Sequence, residues 1–144
     1  MNADKPIRVL IIDDHRMLRD ALRILLEKED GIQLTGEAGD ELEGIEVAVR
    51  TRPEVILLDI GMHGIGGIQT AHRLRHEVPR SRVLMLSQYD DEEYVLEALG
   101  EAQAAGYLIK SDAASELVGA IRAVAAGKRY ISPVCNHVVR GAPT

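Results

Sequence analysis

Five polar residues stand directly behind short apolar runs, and together they suit phosphoryl and metal-ion chemistry. Asp13 and Asp14 follow residues 7–12, Asp59 follows 55–58, Ser87 follows 83–86 and Lys110 follows 106–109. Singly, each has an ordinary role: a carboxylate or hydroxyl behind a strand caps a helix, and a lysine there is solvated. As a set they ask for more. Three carboxylates gathered at one place repel one another and raise each other's pKa unless a cation is present. A hard divalent ion such as Mg²⁺ relieves that repulsion with one or two carboxylates, waters and phosphate oxygens as ligands. A carboxylate can also act as a nucleophile and form an acyl phosphate. Phosphoryl transfer needs in-line positioning and charge on the equatorial oxygens, which Mg²⁺, the Lys110 ammonium and the Ser87 hydroxyl would supply from three directions.

These residues meet only if the apolar runs lie side by side. Runs at 7–12, 55–58, 83–86 and 106–109 are nearly continuous hydrophobics, as in parallel strands covered on both faces. The run at 32–38 is more broken and suits an outer position. Between them, amphipathic stretches at 16–29, 41–51, 67–78, 91–102 and 113–126 predict helices, stopped by Gly31, Pro53, Pro79 and Gly127. Ser111 and Asp112 are N-cap candidates for the last. Five strands alternating with five helices predict an α/β doubly wound parallel sheet. In such sheets ligands bind beyond the carboxyl ends of the strands, where the five polar residues stand. Residues 131–144, with Pro133, Gly141 and Pro143, leave the pattern and read as a tail or linker behind a domain at 1–130.

Composition narrows the function classes. The 144 residues are 46% hydrophobic and 28% charged, which suits one core. Aromatics make up 3%, so the core is aliphatic and a base-stacking surface for single-stranded nucleic acid is not expected. A net charge of −6 gives no counterion-release energy on DNA, so no specific DNA binding by this chain alone is expected. Cys135 is the one cysteine, which excludes an intramolecular disulfide. No signal-peptide core and no membrane-length apolar run occur in the sequence, so no membrane partner and a cytoplasmic location are expected.

The motifs Val9-Leu-Ile-Ile-Asp-Asp-His15, Val55-Ile-Leu-Leu-Asp59, Val83-Leu-Met-Leu-Ser87 and Gly106-Tyr-Leu-Ile-Lys110 make the chain resemble response-regulator receiver domains. The match runs over 7–133. His15, the run Asp90-Asp-Glu-Glu-Tyr94 and the ending Tyr130-Ile-Ser-Pro133 are similar to the NarL/FixJ-like subfamily. The resemblance implies a flavodoxin-like strand order 2-1-3-4-5. It implies Asp59 as phosphoacceptor, with Mg²⁺ (or Mn²⁺) held by Asp13, Asp14, Asp59 and the Gly61 backbone carbonyl. Asp14 would bind the ion directly and Asp13 through water. Ser87 and Lys110 would contact the phosphoryl oxygens, Tyr107 would be the switch aromatic, and Gly61 and Tyr89 would flank the water path that sets the phosphoryl lifetime. The implied partners are a sensor histidine kinase, a second copy on phosphorylation, and DNA only through an output domain absent here. The implied reactions are self-phosphorylation from a phosphodonor and autodephosphorylation, with no enzymatic action on other substrates.

Three departures from the family pattern stand out. His63 replaces the usual Pro in a glycine-rich loop. Before the last strand there is one extra residue, with Gln103 where a turn Gly is common. Ser111 replaces a Pro whose bond to Lys is often cis, a geometry that would cost about 3–4 kcal/mol before Ser. A pseudo-receiver, keeping the fold as a protein-interaction module without phosphorylation, is the rival reading. The complete set of Asp13, Asp14, Asp59, Ser87 and Lys110 speaks against it.

Overall fold

The computed structural model describes residues 5–61, 66–88, 99–100 and 103–133. In chain order these form β1 (Ile7–Ile12), α1 (Arg16–Glu27), β2 (Ile32–Ala38), α2 (Glu41–Thr51), β3 (Val55–Asp59), α3 (Gly67–Glu77), β4 (Arg82–Ser87), β5 (Gly106–Ile109), a 3-10 turn (Lys110–Asp112), α4 (Ala113–Ala125) and β6 (Tyr130–Ile131). The helix expected at 91–102 falls mostly outside the described residues. All strand pairs are parallel, in the order β2-β1-β3-β4-β5-β6. The doubly wound, flavodoxin-like expectation therefore holds for the first five strands.

Strand side chains alternate between two apolar layers, because successive residues of a strand point to opposite faces. Val9, Ile11, Val55, Leu57, Leu84, Leu86 and Leu108 pack with Leu22 and Leu26 of α1 and Leu117, Ile121 and Val124 of α4. Leu10, Ile12, Ile56, Leu58, Met85, Tyr107 and Ile109 pack on the other face with Ile45 and Ala48 of α2 and Ala71 and Leu74 of α3. The central strands are thus sealed on both sides, and only their ends reach water.

The sixth strand was not anticipated. Tyr130 pairs with Gly106 and Ile131 with Tyr107. Tyr130 N–H donates to the Ala105 carbonyl (3.2 Å) and Ser132 N–H to the Tyr107 carbonyl (2.9 Å). Ser132 is fully buried, and its hydroxyl accepts the Ile109 N–H at 2.9 Å. Gly106 permits the approach: a Cβ there would sit 2.7 Å from the Tyr130 carbonyl oxygen and 2.7 Å from Leu84 Cδ1. Ile131 and Ser132 therefore belong to the packed domain, beyond the boundary drawn at 130.

Two local expectations change in detail. Asp112 precedes α4, but with helical backbone angles and no side-chain capping bond, because Lys110–Asp112 already winds as a 3-10 turn. Gln103, in place of a turn glycine, adopts a left-handed backbone at φ 52°, a region that costs most non-glycine residues energy. The Lys110–Ser111 bond is trans, as are all peptide bonds among the described residues.

Candidate functional site

Strand ends build the site. Asp13 lies one residue beyond β1, Asp59 ends β3, Ser87 ends β4 and Lys110 follows β5. Register aligns them: Asp59 pairs with Leu86, and Ser87 pairs with Ile109, the neighbour of Lys110. Parallel strands in this register carry every one of these groups to the same pole of the molecule. The sequence reading placed Asp59 and Ser87 just after their strands, whereas both are the final strand residues.

Asp13 and Asp59 are 0% and 1% exposed, and Lys110 keeps 11% of its side chain exposed. Lys110 Nζ lies 3.0 Å from Asp59 Oδ2 and 3.5 Å from Asp13 Oδ2. Asp59 Oδ1 accepts the Gly61 N–H at 2.9 Å, and Asp13 Oδ1 accepts the His15 N–H at 2.8 Å. Among the described residues, the other oxygens, Asp13 Oδ2 and Asp59 Oδ2, accept no well-formed hydrogen bond despite burial. The ammonium is close to both but off hydrogen-bonding geometry. Burial pushes the Asp13 carboxyl above its ordinary range; the His15 N–H and the Lys110 ammonium oppose this, and the neighbouring Asp59 carboxylate adds to it.

These two buried oxygens, ion-paired with Lys110 but without a hydrogen bond among the described residues, fit a cation that would complete them. Asp13, Asp14, His15 and Asp59 each offer a ligand atom, all within 4.8 Å of one another. Three ionised carboxylates against one ammonium leave a formal −2, which a divalent ion would balance. The donor set here suits such an ion.

Two residues that sequence reasoning gave no role shape the site. His15, noted only as a family marker, brings Nδ1 to 3.2 Å from Asp13 Oδ1, 3.3 Å from Asp14 Oδ1 and 3.6 Å from Asp59 Oδ2. Arg19, one turn into α1, donates to the Asp13 carbonyl at 2.7 Å and pairs with Glu37 at 3.3 Å, fixing the loop from both sides. His15 could have been flagged by its place directly behind the acidic pair; Arg19 had no comparable signal. Ser87 and Tyr107 are fully buried, Tyr107 within the layer that faces α2 and α3. Tyr89 and His63 lie outside the described residues.

Comparison with known proteins agrees with this geometry. Residues 9–122 match the family described as the response regulator receiver domain. The transcriptional regulatory protein MctR of Rhizobium johnstonii is 40% identical over 126 residues, covering 88% of this chain and 58% of that protein. The transcriptional regulatory protein LiaR of Bacillus subtilis is 39% identical, covering 85% of this chain and 57% of that protein. The chain thus spans less than two thirds of these relatives. Among solved structures, a LuxR-family two-component response regulator from Aurantimonas sp. SI85-9A1 superposes with a TM-score of 0.88 at 32% identity, covering 94% of this chain and 96% of that one. The receiver domain of the response regulator NarL from Mycobacterium tuberculosis gives 0.80 at 34% identity, covering 86% and 99%. Among the described residues no helix is long and apolar enough to cross a membrane. A doubly wound sheet that ends in a buried carboxylate pair facing a lysine, matched over most of its length by receivers of NarL- and LuxR-type regulators, places this chain in the response-regulator receiver family, the phosphorylation-controlled switches of two-component signalling.

Proposed function

We propose that Asp59 accepts a phosphoryl group from a sensor histidine kinase in the cytoplasm and that the chain controls a DNA-binding output module lying outside it. The observation that carries this reading is the buried Asp59 carboxylate, with Oδ1 tied to the Gly61 N–H and Oδ2 left 3.0 Å from Lys110 Nζ. An Asp59 oxygen attacks phosphorus, the bond from phosphorus to the donor breaks, and the donor leaves with the electron pair. Lys110 then pairs with a phosphoryl oxygen instead of the free carboxylate, and the Ser87 hydroxyl donates to another. Asp13, Asp14, Asp59 and the Gly61 carbonyl would hold Mg²⁺ or Mn²⁺, which when bound supplies positive charge for the phosphoryl oxygens.

The switch follows from packing. Tyr107 is fully buried on β5, paired with Met85, two residues before Ser87 on β4. A shift of Ser87 toward a phosphoryl group changes the space available to that ring, so a local charge event biases a two-state side chain. The domain covers 1–130 together with the β6 residues, and the following residues lead toward the output. Gly61 and Tyr89 set how readily water reaches the acyl phosphate, and Tyr89→Ala shortens its lifetime.

The test is intact mass after acetyl phosphate treatment, with and without Mg²⁺. One phosphoryl mass is gained only with the cation, is lost in Asp59→Asn and is reduced in Asp14→Ala. Unchanged phosphorylation of Asp59→Asn refutes the assignment. No phosphorylation of the wild type with Mg²⁺ favours an interaction module regulated by contacts alone.

A further inference from the structure

The positive charge of this acidic protein is concentrated. In a chain of net charge −6, residues 72–82 hold four arginines and two histidines against one glutamate. Three adjoining depressions collect part of that charge. One, of about 480 Å³, is lined by Arg82, Lys128 and Arg129. Another, of about 400 Å³, is lined by His72, Arg75 and His76. A third, of about 180 Å³, joins them, sharing Arg82 and Gln103 with the first and Arg75 and Pro79 with the second. Among the described residues no carboxylate lines any of the three. Nor, among those residues, do Arg75, Arg82, Lys128 and Arg129 have an ion-pair partner, whereas Arg19 and Arg23 both pair with Glu37. Arg82 is the joint of the groove. Its Nη1 donates to the Val124 carbonyl in the last turn of α4 at 3.2 Å, and a Cβ at Gly127 would sit 3.2 Å from the same atom. That bond uses one of the five N–H donors of the guanidinium.

We propose that this groove docks an extended acidic segment of a partner protein, whose Asp and Glu side chains pair with Arg75, Arg82 and Arg129. A recess lined by one sign of charge focuses its field on an incoming anion, and guanidinium groups match carboxylates through paired N–H donors. Arg82 opens β4 and Arg129 precedes β6, two strand spacings away, or about 10 Å. An extended chain brings alternate side chains to one side every 6–7 Å or so, so a few residues with acidic groups at alternate positions cover that span. No aromatic side chain among the described residues lines the groove, so nothing there stacks on a base. A long nucleic acid would also meet the net negative charge of the rest of the molecule, whereas a short peptide meets only the groove. The groove lies at the starting ends of β4, β5 and β6, opposite the pole of Asp59 and Ser87. The six residues of β4 separate the two poles by roughly 17 Å. A partner held there leaves the phosphoryl site open, so docking is independent of phosphorylation.

The test titrates the protein into fluorescein-labelled hexaglutamate and follows anisotropy at low and at raised salt. Binding saturates and weakens as salt rises, because exposed charges are screened. Lys128→Ala/Arg129→Ala is the informative variant. Both side chains are exposed and make no ion pair among the described residues, so the fold does not depend on them. It weakens binding by about tenfold or more, the worth of one charge-assisted hydrogen bond. Lys28→Ala/Arg50→Ala removes the same charge from exposed positions elsewhere and changes affinity by less than about twofold. In the ¹⁵N-labelled protein the peptide shifts the amides of Arg75, Arg82 and Lys128 and leaves those of Gly61 and Ser87 in place, with or without beryllofluoride. Absence of saturable binding, or equal losses in the two double variants, overturns the proposal. Tighter binding of tripolyphosphate or of a short DNA duplex than of hexaglutamate at the same salt assigns the groove to phosphate ligands and overturns the acidic peptide.

Discussion

Replacing Ser132 by Ala removes one oxygen, and its effect can be followed to one amide. The hydroxyl is the acceptor of the Ile109 N–H at 2.9 Å, and Ser132 is 0% exposed, so no water can take its place without opening the strand. A buried donor left without an acceptor costs about 1–3 kcal/mol. The cavity left is too small to add a large packing loss. At about 1.4 kcal/mol per factor of ten, the loss corresponds to a roughly 5- to 150-fold change in an opening equilibrium. Two measurements read it. Urea unfolding monitored by circular dichroism gives a lower midpoint with an unchanged slope, because the buried surface is nearly the same. Amide hydrogen exchange shows Ile109 losing protection by at least the global factor, with Gly106 to Leu108 losing no more than that. If Ile109 exchanges as slowly in Ser132→Ala as in the parent and stability is unchanged, the hydroxyl is not its acceptor, and β6 is not joined to the residue preceding Lys110.

Three further expectations follow from single sites. Gln103→Gly removes a left-handed strain at φ 52° and raises stability by about 1 kcal/mol, read as a higher urea midpoint; a fall would show that the Gln103 side chain is worth more than its backbone costs. Gly44→Ala places a Cβ 2.6 Å from Ile12 Cδ1, destabilising by about 1–3 kcal/mol, and adding Ile12→Val, which deletes that methyl, recovers part of the loss in a double-mutant cycle. Burial and the 2.8 Å bond to Glu116 Oε2 raise the Tyr130 hydroxyl pKa above the ordinary 10.0, so the folded state holds that proton more tightly than the unfolded one. Its contribution is complete below pH 10 and is lost as pH rises beyond it, so stability falls more steeply above pH 10 in the parent than in Tyr130→Phe, and identical slopes would refute the coupling.

Most of the fold was legible because its determinants are local. Val9–Ile12 and Val55–Leu58 are unbroken apolar runs that only a strand sealed on both faces explains, and Gly127, with left-handed backbone at φ 89°, stands directly behind the C-cap of α4, whereas α1 ends at Glu27, before Gly31. The site was legible for the same reason: Asp13, Asp59, Ser87 and Lys110 all mark strand ends, and parallel alternation leaves them one place to meet. What escaped was non-local. Two residues, Tyr130 and Ile131, are too few to show a period, and their pairing depends on Gly106 some 24 positions earlier in the chain. The inward turn of His15 depends on a rotamer, which spacing does not encode. Asp112 has the composition of a cap, but the 3-10 turn gives it helical angles, so its carboxylate has no free N–H to receive.

The short sixth strand also bears on how the domain coexists with its neighbours at high concentration. An uncovered β5 would offer a rim of unpaired N–H and C=O groups on an apolar strand, a template for foreign strands and for aggregation. Tyr130, Ile131 and the Ser132 hydroxyl occupy that rim from Ala105 to Ile109. The next residue, Pro133, has no N–H with which to continue the ladder. Among the described strands this leaves β2 as the other rim, where the register slips against β1 between Val9 and Leu10 and Glu37 is tied to Arg19 and Arg23. Neither rim is a straight apolar ribbon. Strand addition between copies is therefore discouraged at both sides of the sheet.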